Sequence, residues 1–303
     1  MTLAHDRIDE RAARERVVPV VRAGVLAQNL CRRGGRAEVA AVFDRCLYLR
    51  AGDDFVCIGE PSIGDGPLTL TVAAPVSQLD LRRGQAAAIN NRHIAIGDLR
   101  LDLSNCTTWR PPRWPAPSPA LPALCLELAR RTSVEGPADS LARADFGSED
   151  TPLARVARPR LAKFVGWAKR RRRVRTIDDR GGHGASRLSP PYDLVGLGPG
   201  LTPSGDDFLM GALAVLDALG QTNMHAALGH AVAAGAPALT SPLSACFLRA
   251  AAAGHVGERL HAMVAAVLIG DIEAALAAAR RIGHTSGWDM LAGVATTLRA
   301  TTA

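Results

Sequence analysis

Aromatic residues are scarce in this 303-residue chain, 4% in all, and none interleaves with its densest run of positive charge, Lys169-Arg170-Arg171-Arg172-Arg173-Val174-Arg175. Proteins that grip nucleic acid place rings between basic groups to stack the bases, so this run reads first as a solvated helix end, with a nucleic-acid patch the weaker alternative. Long apolar runs are missing as well. Phe208–Leu216 and Met263–Gly270 fall far short of the roughly 20 residues a membrane-spanning helix needs, so no membrane partner is expected. Met1 to Arg16 is charged and lacks the apolar centre of a signal peptide, which predicts a cytoplasmic protein. Six cysteines (Cys31, Cys46, Cys57, Cys106, Cys125, Cys246) include no Cys-x-x-Cys pair and read as small apolar fillers. A Gly-x-Ser-x-Gly elbow is absent, and His225, His230, His255 and His261 show no metal-ligand spacing.

What is present suits an ordinary globular chain: 48% apolar residues, 21% charged, and a net charge of +7 that favours anionic partners. The length allows two modest domains. Up to about residue 110 the pattern is mainly β. Phe43–Leu49, Phe55–Ile58, Leu68–Val72, His93–Ile96 and Leu99–Leu103 are short strand candidates between turns such as Gly52-Asp53-Asp54 and Gly64-Asp65-Gly66. Alternation on both sides of Gly97-Asp98 predicts a hairpin of a small barrel or sandwich. Six prolines from Pro111 to Pro122 then mark a linker over 111–122. From 123 to the end the apolar spacing is helical and Ala-rich: Leu121–Arg131, Leu153–Arg173 with a break near Pro159, Asp206–Leu219, Met224–Ala234, Pro242–Ala253, Glu258–Leu268, Ile272–Arg281 and Trp288–Arg299. The expected fold class is therefore α+β, a β domain followed by a helical one. Gly181-Gly182-His183-Gly184-Ala185-Ser186 reads as a loop able to close over the segment just downstream of it.

Within the helical half one pattern occurs twice. Ser204-Gly205-Asp206-Asp207-Phe208-Leu209-Met210-Gly211 and, 82 positions later, Ser286-Gly287-Trp288-Asp289-Met290-Leu291-Ala292-Gly293 both read S-G-x-D-x-L-x-G. Each comes after a polar, Gly-bearing run, Gly198-Pro199-Gly200-Leu201-Thr202-Pro203 in one case and Gly283-His284-Thr285 in the other. Helix starts expose unpaired N–H groups and a partial positive charge, so two matched starts side by side make an anion-binding cleft.

The plain alternative is that Ser204 with Asp207, and Ser286 with Asp289, are two capping boxes that only satisfy helix N–H groups. It leaves Asp206, Thr202 and Thr285 unexplained. No basic residue stands in either corner to hold a phosphate, so the carboxylates either hold Mg²⁺ through Asp206 or Asp207, or accept hydrogen bonds from an amide or amine. His284 is the one group of the second loop that titrates near neutral pH; it serves as acid, base or donor, or else simply closes the helix before it. Thr240-Ser241-Pro242 resembles a further helix start, with Ser241 as cap.

The run Gly196-Leu197-Gly198-Pro199-Gly200-Leu201-Thr202-Pro203-Ser204-Gly205-Asp206-Asp207, with Gly283-His284-Thr285-Ser286-Gly287-Trp288-Asp289 near the end, resembles the signature of the AllH-type family. The likeness is densest over Leu194–Leu219 and Gly283–Gly293 and thin before the proline run. It implies a subunit of an oxamate carbamoyltransferase of allantoin breakdown, working with other subunits on carbamoyl phosphate and oxamate. The Ser-Thr-Arg-Thr phosphate loop of ordinary carbamoyltransferases is absent. On this reading the ligand is a small anionic, amide-bearing molecule. Gly198, Gly200, Thr202, Ser204, Gly205, Thr285, Ser286 and Asp289 are expected to bind it, with Asp206, Asp207 and His284 as the catalytic candidates. A non-catalytic anion-binding or scaffolding subunit is the rival.

Overall fold

The computed structural model describes residues 15–146, 150–173 and 192–302, so the glycine-rich loop expected at Gly181–Ser186 and the end of the arginine run lie outside the described residues. The chain divides into two compact units, Met1–Trp109 and Arg110–Ala303.

In the first unit the strands are β1 (Arg16–Gly24), β2 (Gly35–Val42), β3 (Cys46–Ala51), β4 (Asp54–Gly59), β5 (Thr69–Val72), β6 (Ala86–Ile89), β7 (His93–Ile96), β8 (Leu99–Asp102) and β9 (Thr107–Trp109), with one helix, α1 (Val25–Arg33), after β1. They lie in the order β5-β4-β3-β2-β6-β7-β8-β1, and β1 returns to pair with β5, which closes an eight-stranded barrel; β9 extends along β1 past the end of β8. Alternate residues point inward: Leu47 and Leu49, Val56 and Ile58, Leu70 and Val72, Ile94 and Ile96, Leu99 and Leu101 are all buried in one core. Fully burying a side chain of this size stabilises the fold by roughly 1.5–3 kcal/mol, and this period of two is what the sequence pattern shows. The hairpin expected at Gly97-Asp98 is β7 and β8, with Ile96 opposite Leu99. Strands β1, β2, β6 and β9 and helix α1 were not anticipated. Pro19 inside β1 masks a strand that pairs on both edges, and α1 is one short helix among strands, with only Ala27, Leu30 and Cys31 turned inward.

Nine helices form the second unit: α2 (Leu121–Glu135), α3 (Leu141–Phe146), α4 (Pro152–Arg173), α5 (Ser204–Ala218), α6 (Thr222–Leu239), α7 (Pro242–Ala252), α8 (Glu258–Ile269), α9 (Ile272–Arg280) and α10 (Ser286–Thr302) among the described residues. Every residue of α5 from Ser204 to Leu216 is buried, so α5 is the central helix, apolar on all sides below its first turn. The proline run is seated on this unit. Trp114 stacks on His261 with ring centroids 4.0 Å apart and donates its indole N–H to Asp217 at 2.8 Å, while Ser118 N–H donates to Leu268 O at 2.7 Å. The break expected at Pro159 does not occur; α4 runs through it. A proline inside a helix costs about 3 kcal/mol, and Ala157, Leu161, Phe164 and Trp167, buried on either side of it, offset that loss. Ser241 caps α7 as its sequence suggests, accepting from Ser244 N–H at 3.0 Å.

Candidate functional site

The two corners are wired alike. In the first, the N–H groups of Asp206 and Asp207 donate to Pro203 O at 2.9 and 3.1 Å; in the second, those of Trp288 and Asp289 both donate to Thr285 O at 2.9 Å. Gly205 N–H reaches back to Leu197 O and Gly287 N–H to Ile282 O, each at 2.8 Å. Helices α5 and α10 then cross in direct backbone contact. A Cβ on Gly211 would stand 2.0 Å from Met290 O, and a Cβ on Gly293 would stand 2.0 Å from Phe208 O. Glycine is the eighth residue of each motif, and the carbonyl it meets belongs to the fifth residue of the other. The crossing is thus a reciprocal, two-fold-like exchange, and the two motifs do meet.

The same exchange sets the carboxyls. The Ser286 hydroxyl bears on Asp207 and the Ser204 hydroxyl on Asp289, each serine serving the acid of the opposite helix. Asp207 is 1% exposed, and neither of its oxygens has a hydrogen-bond partner among the described residues; Ser286 and Thr202 stand close enough to favour its charged form without completing a bond. Burial first, then the charges of Asp289 and Asp206, hold its carboxyl well above the usual carboxylate range. Asp289 accepts Leu141 N–H through Oδ1 at 2.6 Å and has no partner for Oδ2 among the described residues. Burial pushes it up to about 7, against the pull of the Leu141 N–H and the Ser204 hydroxyl. The capping-box alternative therefore fails: α5 has no side-chain cap bond, and neither acid serves its own helix start.

Asp206 stands differently. Its Oδ1 accepts Gly196 N–H at 2.7 Å and its Oδ2 accepts the hydroxyls of Ser244, at 2.6 Å, and Thr240. Three bonds to a fully buried carboxylate tie the loop at Gly196 and the start of α7 to α5. They engage both oxygens and leave one lone pair of the carboxylate, on Oδ1, uncommitted. Among the described residues no group of three or more His, Cys, Asp or Glu is placed to hold a metal ion.

Around this centre Gly198 lies against Ser204, where a Cβ would come within 3.1 Å of the Ser204 nitrogen, and Thr202, Thr285 and Ser286 are half-buried. Gly200 is exposed with open space about it. His284 points outward with its side chain 82% exposed and its Nε2 4.0 Å from Asp139 Oδ1, an ion pair only when the ring is protonated. Sequence reasoning missed Thr240 and Ser244 as the holders of Asp206, Leu141 N–H as the holder of Asp289, and Asp139, whose charge bears on Asp289. The helix start at Thr240-Ser241-Pro242 was the one available signal.

Residues 194–298, which contain both corners, match a family model described as oxamate carbamoyltransferase subunit AllH. Residues 19–108 match that of the AllH family N-terminal domain, so the likeness that is thin to the eye before the proline run extends over the barrel. No curated protein and no solved structure matches the chain.

Proposed function

We propose, from the premise that the chain belongs to the AllH family, that it is a carbamoyltransferase subunit that acts with other subunits on carbamoyl phosphate and oxamate in allantoin catabolism. The observation that carries this reading is the reciprocal crossing, which gathers the hydroxyls of Thr202, Ser204 and Ser286 with the unpartnered oxygens of Asp207 and Asp289. In the forward direction the oxamate nitrogen attacks the carbamoyl carbon and a C–N bond forms. The C–O bond to phosphate then breaks, phosphate leaves with the electron pair, and the nitrogen gives up one proton; the product is oxalurate.

Such a reaction is accelerated mainly by orientation and by donors aimed at the oxyanion that develops on the carbamoyl carbon. The hydroxyls of Thr202, Ser204 and Ser286 supply donors of that kind, since the N–H groups of residues 205–207 and 287–289 are already bonded to carbonyls within their own corners. Asp206 is the brace that fixes the first corner rather than a reacting group. His284, at the exposed edge, moves the proton to solvent. The exposure of His284 also favours the rival reading, a non-catalytic subunit that binds the anion for a partner.

The test is phosphate release from carbamoyl phosphate, with and without oxamate, by the chain alone and by its assembly with the partner subunits. Oxamate-dependent release by the assembly is the expected result. Release that persists at full rate when Ser204 and Ser286 are both replaced by alanine would assign the chemistry to a partner.

A further inference from the structure

A buried carboxyl with both oxygens unpartnered is costly, because it has given up water and received nothing in return. Asp207 is close to that state at the junction of α5 and α10: neither of its oxygens has a bond of normal geometry among the described residues and only the Ser286 and Thr202 hydroxyls bear on it, whereas Asp206 is bonded three times over and Asp289 through Oδ1. Among the described residues the charged groups that bear on it are all acidic, Asp289 from α10 and Asp206 on its own helix, with Asp139 bearing in turn on Asp289. The environment therefore favours the neutral acid. A neutral carboxyl has a carbonyl oxygen that accepts and a hydroxyl that donates, side by side in one plane. A primary amide has the complementary pair, an N–H that donates and a carbonyl that accepts. Thr202 and Ser286, the two hydroxyl residues that bear on Asp207, are only half-buried, so a ligand that reaches the carboxyl does so by displacing one of them.

We infer that Asp207 is the specificity residue that reads a primary amide, its two oxygens forming two parallel hydrogen bonds with the H₂N–C=O group of the ligand. This rests on the carbamoyltransferase reading, in which both oxamate and the carbamoyl donor carry that group. A carboxylate in the same place has no N–H to give and brings a negative charge against three acids. A methyl ketone leaves one oxygen of Asp207 bare.

Titration calorimetry on the assembled complex, with oxamate, oxalate and pyruvate as probes, tests this directly. The wild type is expected to prefer oxamate by at least about tenfold, the worth of roughly one good hydrogen bond. Asp207→Asn keeps one acceptor and one donor in the same plane, so it should hold oxamate within about threefold of wild type. Asp207→Ala should lose at least about tenfold together with the preference. A preference retained by Asp207→Ala, equal loss in both variants with thermal melts intact, or a wild type indifferent to oxamate would each overturn the inference. The reading beneath it fails separately: oxamate bound through Asp207 without any phosphate release from carbamoyl phosphate would leave the amide clamp standing and remove the transferase.

Discussion

Three aspartates within two short motifs carry three different loads. Asp206 anchors three donors, and removing it leaves Gly196 N–H and the hydroxyls of Thr240 and Ser244 without their acceptor in the interior. Asp206→Ala should cost about 3 kcal/mol or more, read as a lowered urea midpoint, with Asp206→Asn milder because the hydroxyls can turn to accept. Asp289 gives a pH dependence with a definite sign. Its folded-state value is raised from 3.8 to about 7, so the native protein keeps a proton that the unfolded chain has released. The stabilisation is complete below about pH 4 and is lost as the pH rises through 7, amounting to roughly 4 kcal/mol. The melting temperature should therefore fall between pH 5 and pH 8. Asp289→Asn, which keeps an acceptor for Leu141 N–H, should flatten that slope; an unchanged slope would place the titration elsewhere.

Among the elements, α5 and α10 depend on each other through Gly211 and Gly293. Alanine at either would push a methyl group into a carbonyl 2.0 Å away, and since that neighbour is backbone the helices must separate. Each substitution should destabilise by about 3 kcal/mol or more in chemical denaturation. Gly235→Ala in α6 is the control: its nearest neighbour would be the end of the Leu239 side chain at 3.4 Å, and a gain of up to about 1 kcal/mol is expected. The repeat was legible because S-G-x-D-x-L-x-G survives as a string. That its eighth and fifth positions interlock was not, because no sequence spacing records which faces of two helices meet. Thr240 and Ser244 escaped for a related reason, since they lie 34 and 38 residues from the carboxylate they serve. The unbroken course of α4 through Pro159 shows a local rule giving way to burial on both sides.

At the scale of the whole molecule, α+β with the strands first could be read from the change of apolar period near the proline run, from two to the helical spacing. Closure of the barrel could not, because it rests on β1 pairing with β5, strands joined by 44 intervening residues. Each unit has a hydrophobic core of its own. A chain ending at Trp109 should accordingly fold alone, with β-type circular dichroism and a cooperative melt; a coil spectrum would show that the barrel core is insufficient. The interlocked glycines carry a consequence for descent as well. A residue that widened one side of the crossing would evict the other, so neither segment can drift by itself, and any lineage that reshapes this centre has to change both strings in step.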